Sequence, residues 1–193
     1  CLLIALLLGS WGMSWGAGCE KGIPASIGSD PLTFMLESQP LAEQGNANAQ
    51  YKLGTMYDYG VLRNKKIALN WYTLAADQGN NDARNNLGRM YEKGKGVLQD
   101  DKKAVYWWKK SAEQGNALAQ HKLGVQYAKG QGVKKNILKA HMWFNISAYL
   151  GNTEASEARD DFSKYMTSQQ IREAQRMARN WVENFEKRKK KRK

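Results

Sequence analysis

Between residues 41 and 151 the apolar positions follow a pattern that repeats. Ala49, Leu53 and Tyr57 stand four residues apart, a spacing that puts them on one face of a helix. The set returns as Ala83, Leu87 and Tyr91, and again as Ala119, Leu123 and Tyr127. A glycine follows each leucine: Gly54, Gly88 and Gly124. Some fifteen residues on, a second stripe starts at Ala68, Ala104 or Ala140. It runs into an aromatic pair, Trp71-Tyr72, Trp107-Trp108 or Trp143-Phe144. Two helices per unit are predicted, with the stripe of the second continuing to Ala75. The small residues let the two backbones approach, and the aromatics fill the space between units.

Polar positions punctuate the same units. Glu43-Gln44-Gly45-Asn46 returns as Asp77-Gln78-Gly79-Asn80, as Glu113-Gln114-Gly115-Asn116 and, more weakly, as Tyr149-Leu150-Gly151-Asn152. The glycines are 34, 36 and 36 residues apart. They end the second helix and turn the chain back. Asn64, Asp100 and Asn136 sit where that second helix begins, and their side chains can accept from its first N–H groups. Val61, Val97 and Val133 line up before them. The first unit is two residues short, with Gly60 alone where the others carry Gly94-Lys95-Gly96 and Gly130-Gln131-Gly132. These glycines end the first helix, where glycine readily takes a left-handed conformation. The aromatics recur at the repeat period, so they belong to the core rather than to a ligand box.

The combined string, Ala-Glu-Gln-Gly-Asn…Ala-x-x-x-Leu-Gly-x-x-Tyr…Gly-x-Gly-Val-x-x-Asp-x-x-Lys-Ala-x-x-Trp, resembles the Sel1-like repeat, a relative of the tetratricopeptide repeat with a longer internal loop. Residues 77–115 match best, 113–151 next, and 43–79 less well because of the shortened loop. The resemblance implies an all-α protein, an α/α solenoid of Sel1-like (TPR-like) helix–turn–helix repeats. It also implies a concave face offered to partners and an adaptor role in signalling, secretion, envelope or host-contact pathways. Cysteine-rich members linked to β-lactam binding carry a cysteine pair in each repeat, and these repeats have none.

Around the three repeats of residues 41–151, four further segments are expected. Residues 152–186 are a degenerate fourth repeat or C-terminal cap. In it Asn152–Met166 forms one helix, and Thr167-Ser168-Gln169-Gln170 forms a capping box for the next. That next helix buries Ile171, Ala174, Ala178, Trp181, Val182 and Phe185 and turns Arg172, Glu173, Arg176, Arg179 and Asn180 outward. Residues 187–193 are a basic disordered tail. Residues 19–40 are an N-terminal linker or cap: Asp30-Pro31 starts a short helix, Leu32, Phe34, Met35 and Leu36 cover the open edge of the first repeat, and Pro40 interrupts it. Residues 1–18 read as a signal peptide entered part-way, an apolar run Cys1–Leu8 followed by small residues.

Composition changes this picture little. Apolar residues make up 42% and prolines number 3, which suits a helical core. The net charge is +12, of which the last seven residues supply +7. The body is therefore only mildly basic, and no nucleic-acid partner is expected. Lys187–Lys193 could touch anionic lipid headgroups. Cys19 follows Gly16-Ala17-Gly18, which loosely resembles a lipobox, so Cys19 is a candidate for lipidation. The chain is expected to be exported, periplasmic or secreted, with lipid anchoring open.

Catalytic chemistry is not evident. His121 and His141 stand twenty residues apart with no cysteine or carboxylate at ligand spacing, so no metal, catalytic residue or cofactor is expected. The Gly-x-Gly pairs follow a helix rather than a strand, which removes a nucleotide-loop reading. The leading expectation is a non-catalytic scaffold that binds a peptide or protein partner on the concave face. Positions that vary between matching units are the contact candidates: Lys52, Thr55, Asp58, Arg89, Glu92, Lys122 and Gln126. The alternative is an envelope hydrolase acting on β-lactam or peptidoglycan, which would need a nucleophile beside a base.

Overall fold

The computed structural model describes residues 31–60 and 63–191, with side chains from Glu37 onward. The signal segment, Cys19, Val61 and the side chains of Leu32, Phe34, Met35 and Leu36 lie outside the described residues. Among the described residues every regular element is a helix: α1 Pro31–Glu43, α2 Ala47–Tyr59, α3 Lys65–Asp77, α4 Asn81–Lys93, α5 Asp101–Ala112, α6 Ala117–Lys129, α7 Ile137–Tyr149, α8 Thr153–Ser163 and α9 Ser168–Lys191. Helices α2 and α3, α4 and α5, and α6 and α7 form the three hairpins. Each hairpin packs its second helix on the first helix of the next.

Asparagine and aspartate side chains cap the helix starts, as expected for the second helices and, beyond that expectation, for the first helices too. Asn46 accepts from Ala49 N at 3.0 Å, Asn80 from Ala83 N at 2.9 Å and Asn116 from Ala119 N at 3.0 Å. Asn64, Asp100 and Asn136 do the same for α3, α5 and α7. Each cap satisfies an otherwise orphaned N–H and stabilises its helix by about 1 kcal/mol. Gly45, Gly79, Gly115 and Gly151 turn the chain between units with φ of 94°, 98°, 89° and 90°, a region where a Cβ is strained.

Inside each hairpin the second aromatic of the pair lies against the glycine of the first helix. A Cβ on Gly54, Gly88 or Gly124 would sit 2.5, 2.4 or 2.5 Å from the ring of Tyr72, Trp108 or Phe144. Those rings are buried. The first aromatic of each pair faces the preceding junction. Trp71 packs on Ala42, Ala49 and Leu53, Trp107 on the Ala68 to Met90 cluster, and Trp143 on the cluster of Trp108, Leu123 and Ile146. The three units therefore place their aromatics in equivalent surroundings.

Three expectations are corrected. Gly60 is not left-handed: its φ is −77° and ψ −170°, whereas Gly94 and Gly130 have φ of 63° and 75°. The shortened unit turns by another route yet keeps the same closure. Asn64 N donates to Tyr57 O at 2.9 Å, as Asp100 N does to Tyr91 O and Asn136 N to Tyr127 O. Pro40 does not interrupt α1, which runs through it. Proline removes one rung of the helix, but the last turn is anchored by buried Ala42, whose carbonyl accepts from Gln50 Nε2 at 3.0 Å. Residues 187–191 are not a disordered tail but continue α9. Lys and Arg are good helix formers and sit at the end of the macrodipole that favours cations. Lys189 reaches Glu186 at 3.7 Å and lies over the Phe185 ring.

The C-terminal end departs from the hairpin plan. The capping box forms, with Thr167 N on Gln170 Oε1 at 2.9 Å and Gln170 N on Thr167 Oγ1 at 3.2 Å. Helix α8 packs on α7, and α9 also lies on α7, unlike the paired helices of the repeats. Trp181 meets Trp143 edge-on at 5.6 Å and stacks on Phe185 at 5.0 Å. Phe185 presses on Gly115, where a Cβ would come within 2.5 Å of it. A layer of α9 side chains thus covers the last repeat.

Candidate partner-binding face

Helices α2, α4 and α6 hold all seven predicted contact residues. Repeated side-chain bonds fix these first helices to their predecessors. Gln50, Arg84 and Gln120 occupy matching positions and donate to Ala42 O, Ala76 O and Ala112 O at 3.0, 3.0 and 3.1 Å. Each adds a second donor to a carbonyl that already accepts the N–H of the turn glycine, Gly45, Gly79 or Gly115. Asn80 Nδ2 reaches Asn48 Oδ1, and Asn116 Nδ2 reaches Asp82 Oδ1, both at 3.1 Å.

The predicted residues divide into two groups. Asp58 is 1% exposed and does not face a partner. Its carboxylate pairs with Arg89 of the next unit and with Lys65 of its own, the latter at 2.6 Å. Tyr72 Oη stands 3.5 Å from it. Burial, then the Asp58 charge, drives the Tyr72 hydroxyl far above its ordinary range. Arg89 also lies over the exposed ring of Tyr59 at 5.0 Å. At the following junction Gln126, likewise 1% exposed, donates to Glu92 Oε1 at 3.1 Å. Asp58, Arg89, Glu92 and Gln126 therefore tie unit to unit. Lys52 is exposed, Lys122 half-buried, and Thr55 turns its hydroxyl to Lys52 O at 2.7 Å.

Sequence reasoning missed what remains open on this face. Tyr59, Leu118, Lys93 and Lys129 are exposed, and Tyr51, Asn85, Asn86 and His121 are half-buried beside them. Six cations, Lys52, Arg84, Arg89, Lys93, Lys122 and Lys129, stand on the three helices against three carboxylates, Asp58, Asp82 and Glu92. Every one of those carboxylates already accepts a side-chain donor from the next unit. Only Asp58 is met by a cation, and Asp82 and Glu92 keep their charge on neutral amide donors, yet cations still outnumber carboxylates and the net charge of the three helices is positive.

One nucleophile does stand beside a base, contrary to expectation. Ser163 Oγ lies 2.9 Å from His141 Nε2. The serine proton, however, goes to Arg159 O at 2.7 Å, and His141 is 1% exposed. The histidine cannot take a proton that already points elsewhere. Among the described residues no group of three His, Cys, Asp or Glu is placed to hold a metal ion, and no helix is long and apolar enough to cross a membrane.

A family model described as Sel1 repeat matches residues 47–80, 81–116 and 117–152, the three hairpins in register. Among solved structures the chain is similar to a Sel1 repeat protein from Oxalobacter formigenes, at 32% identity and TM-score 0.61, over 66% of this chain and 97% of that one. It is similar at 29% identity and TM-score 0.54 to a protective antigen present in uropathogenic Escherichia coli strains, which displays an SLR fold; 81% of this chain aligns to 42% of that one. Helicobacter pylori cysteine-rich protein B shares the fold at 22% identity and TM-score 0.56, over 69% of this chain and 98% of that one. No curated protein matches the chain.

Proposed function

The chain belongs to the Sel1 repeat family, whose members are generally protein-interaction scaffolds, and from that premise we propose that it holds an acidic peptide or protein segment on the face made by α2, α4 and α6. The observation that carries this reading is the excess of cations over carboxylates on these three helices, six against three, with Asp58 already paired with Arg89. A ligand on this face meets a net positive charge, with Lys93, Lys122 and Lys129 among its cations. Exposed Tyr59 and Leu118 supply apolar contact beside it.

The test uses two labelled peptides of equal length, one rich in Glu and Asp and the other its Lys counterpart. The acidic probe binds and its affinity falls with salt, while the variant K93E/K122E/K129E loses about tenfold or more of that affinity. Equal binding of both probes, or an unchanged affinity in the variant, overturns the reading.

The role is non-catalytic in this proposal. The buried Ser163–His141 contact gives the hydrolase reading no activated nucleophile. Export to the periplasm or the exterior is part of the same proposal, and its support is the apolar Cys1–Leu8 run with the small residues after it. The intact mass of the processed protein tests export, and it reads lipid on Cys19 in the same experiment.

A further inference from the structure

Both histidines of the chain face the same helix. His141 of α7 reaches Ser163 of α8, and His121 of α6 reaches Glu154 of α8. The proton positions around His141 follow from its partners. Asn145 Nδ2 donates to His141 O at 3.0 Å, which fixes the amide orientation, and its second proton meets His141 Nδ1 at 2.7 Å. Nδ1 is therefore an acceptor. Ser163 Oγ gives its own proton to Arg159 O, so it accepts from His141 Nε2–H. The ring is neutral, and both of its nitrogens are satisfied.

A second proton on this ring has no place to go. It would sit on Nδ1 and point at the Asn145 Nδ2 proton already directed there. We propose that α8 is an acid-released latch: protonation of His141 breaks the Asn145–His141–Ser163 relay, and α8 parts from α7. Release bares the apolar surface that α8 covers. Phe144 loses its edge-on contact with Phe162, at 6.0 Å, and Ala155 leaves its buried seat.

The charges around both rings set the direction. Burial lowers the His141 pKa below 6.5, Arg159 of α8 lowers it further, and Asp160 of α8 opposes both. A histidine held below its ordinary value contributes stability fully present above that value. The contribution is lost as pH falls from 6.5 towards the folded-state pKa. His121 works the other way at its contact, since a proton there would strengthen the 3.6 Å approach to Glu154. That carboxylate is mostly exposed, so the gain is small. Burial and Lys122 also disfavour the proton on His121. His141 therefore decides the response.

Hydrogen exchange of the full chain at about pH 7.5 and about pH 5, corrected for intrinsic rates, reads the latch directly. Protection of α8 falls about tenfold or more on acidification, while α4 and α5 keep theirs. H141Q cannot titrate and loses the pH response. N145D places an acceptor opposite the new Nδ1 proton, so α8 stays protected in acid. H121Q leaves the response intact. Constant α8 protection in the wild type, acid release of N145D equal to the wild type, or loss of the response in H121Q would each overturn the proposal. N145D carries the test if H141Q does not fold, as circular dichroism at the higher pH would show.

Discussion

The junction between the first and second repeats and that between the second and third sit at matching positions and are built from different chemistry. The first buries the Asp58 carboxylate between Arg89 and Lys65. The second joins Glu92 to the neutral amide of Gln126. Asp58 and Glu92 are equivalent residues, whereas Arg89 and Gln126 are offset by one place in the repeat. The difference teaches that a position can vary between repeats and still be dictated by packing, because its partner varies with it. One junction relies on charge and the other on an amide, and both link neighbouring first helices.

Removing Asp58 breaks the comparison hardest. D58A leaves Arg89 and Lys65 facing a partly buried void, and chemical denaturation should show a loss of about 3–5 kcal/mol. A substitution inside the hairpins on either side of the first junction comes next. G54A and G88A each force a methyl group against a buried ring, so each should cost about 1–3 kcal/mol. The two costs should be similar, because a buried ring lies against the glycine in both units. G88A also strains the Trp108 Nε1 bond to Asn85 O, at 3.2 Å. The amide junction is weaker: E92A should cost about 1 kcal/mol in the same assay, well below D58A. The smallest effect is that of the cap at the far end, where T167A should lower stability by about 0.5–1 kcal/mol and leave both junctions unchanged.

Much of this fold was legible in the sequence. The fourfold spacing of Ala49, Leu53 and Tyr57 gave α2, and the same pattern gave α4 and α6. The Asn64, Asp100 and Asn136 caps and the Thr167 box fell where their side chains can reach free N–H groups. These are local signals, decided within a turn or two of helix. What was not legible depends on distance along the chain. Asp58 meets Arg89 across 31 residues and Gln126 meets Glu92 across 34, in offset columns that no single-repeat alignment pairs. The same holds for α9. Its apolar stripe was plain, but nothing local says that Trp181 and Phe185 land on Trp143 and Gly115 rather than on α8. The basic run of residues 187–191 reads as a solvated end by charge alone, and it is helical because it continues a helix already begun.

The junctions hold the hairpins in register through residues the sequence offered as partner contacts. A double-mutant cycle on Asp58 and Arg89, by urea denaturation of the full chain, tests this most directly. The two residues should be coupled by about 2 kcal/mol or more, with coupling between Glu92 and Gln126 clearly smaller. Additive losses at Asp58 and Arg89 would contradict it, for the two side chains would then act independently and nothing would bind one repeat to the next at that point.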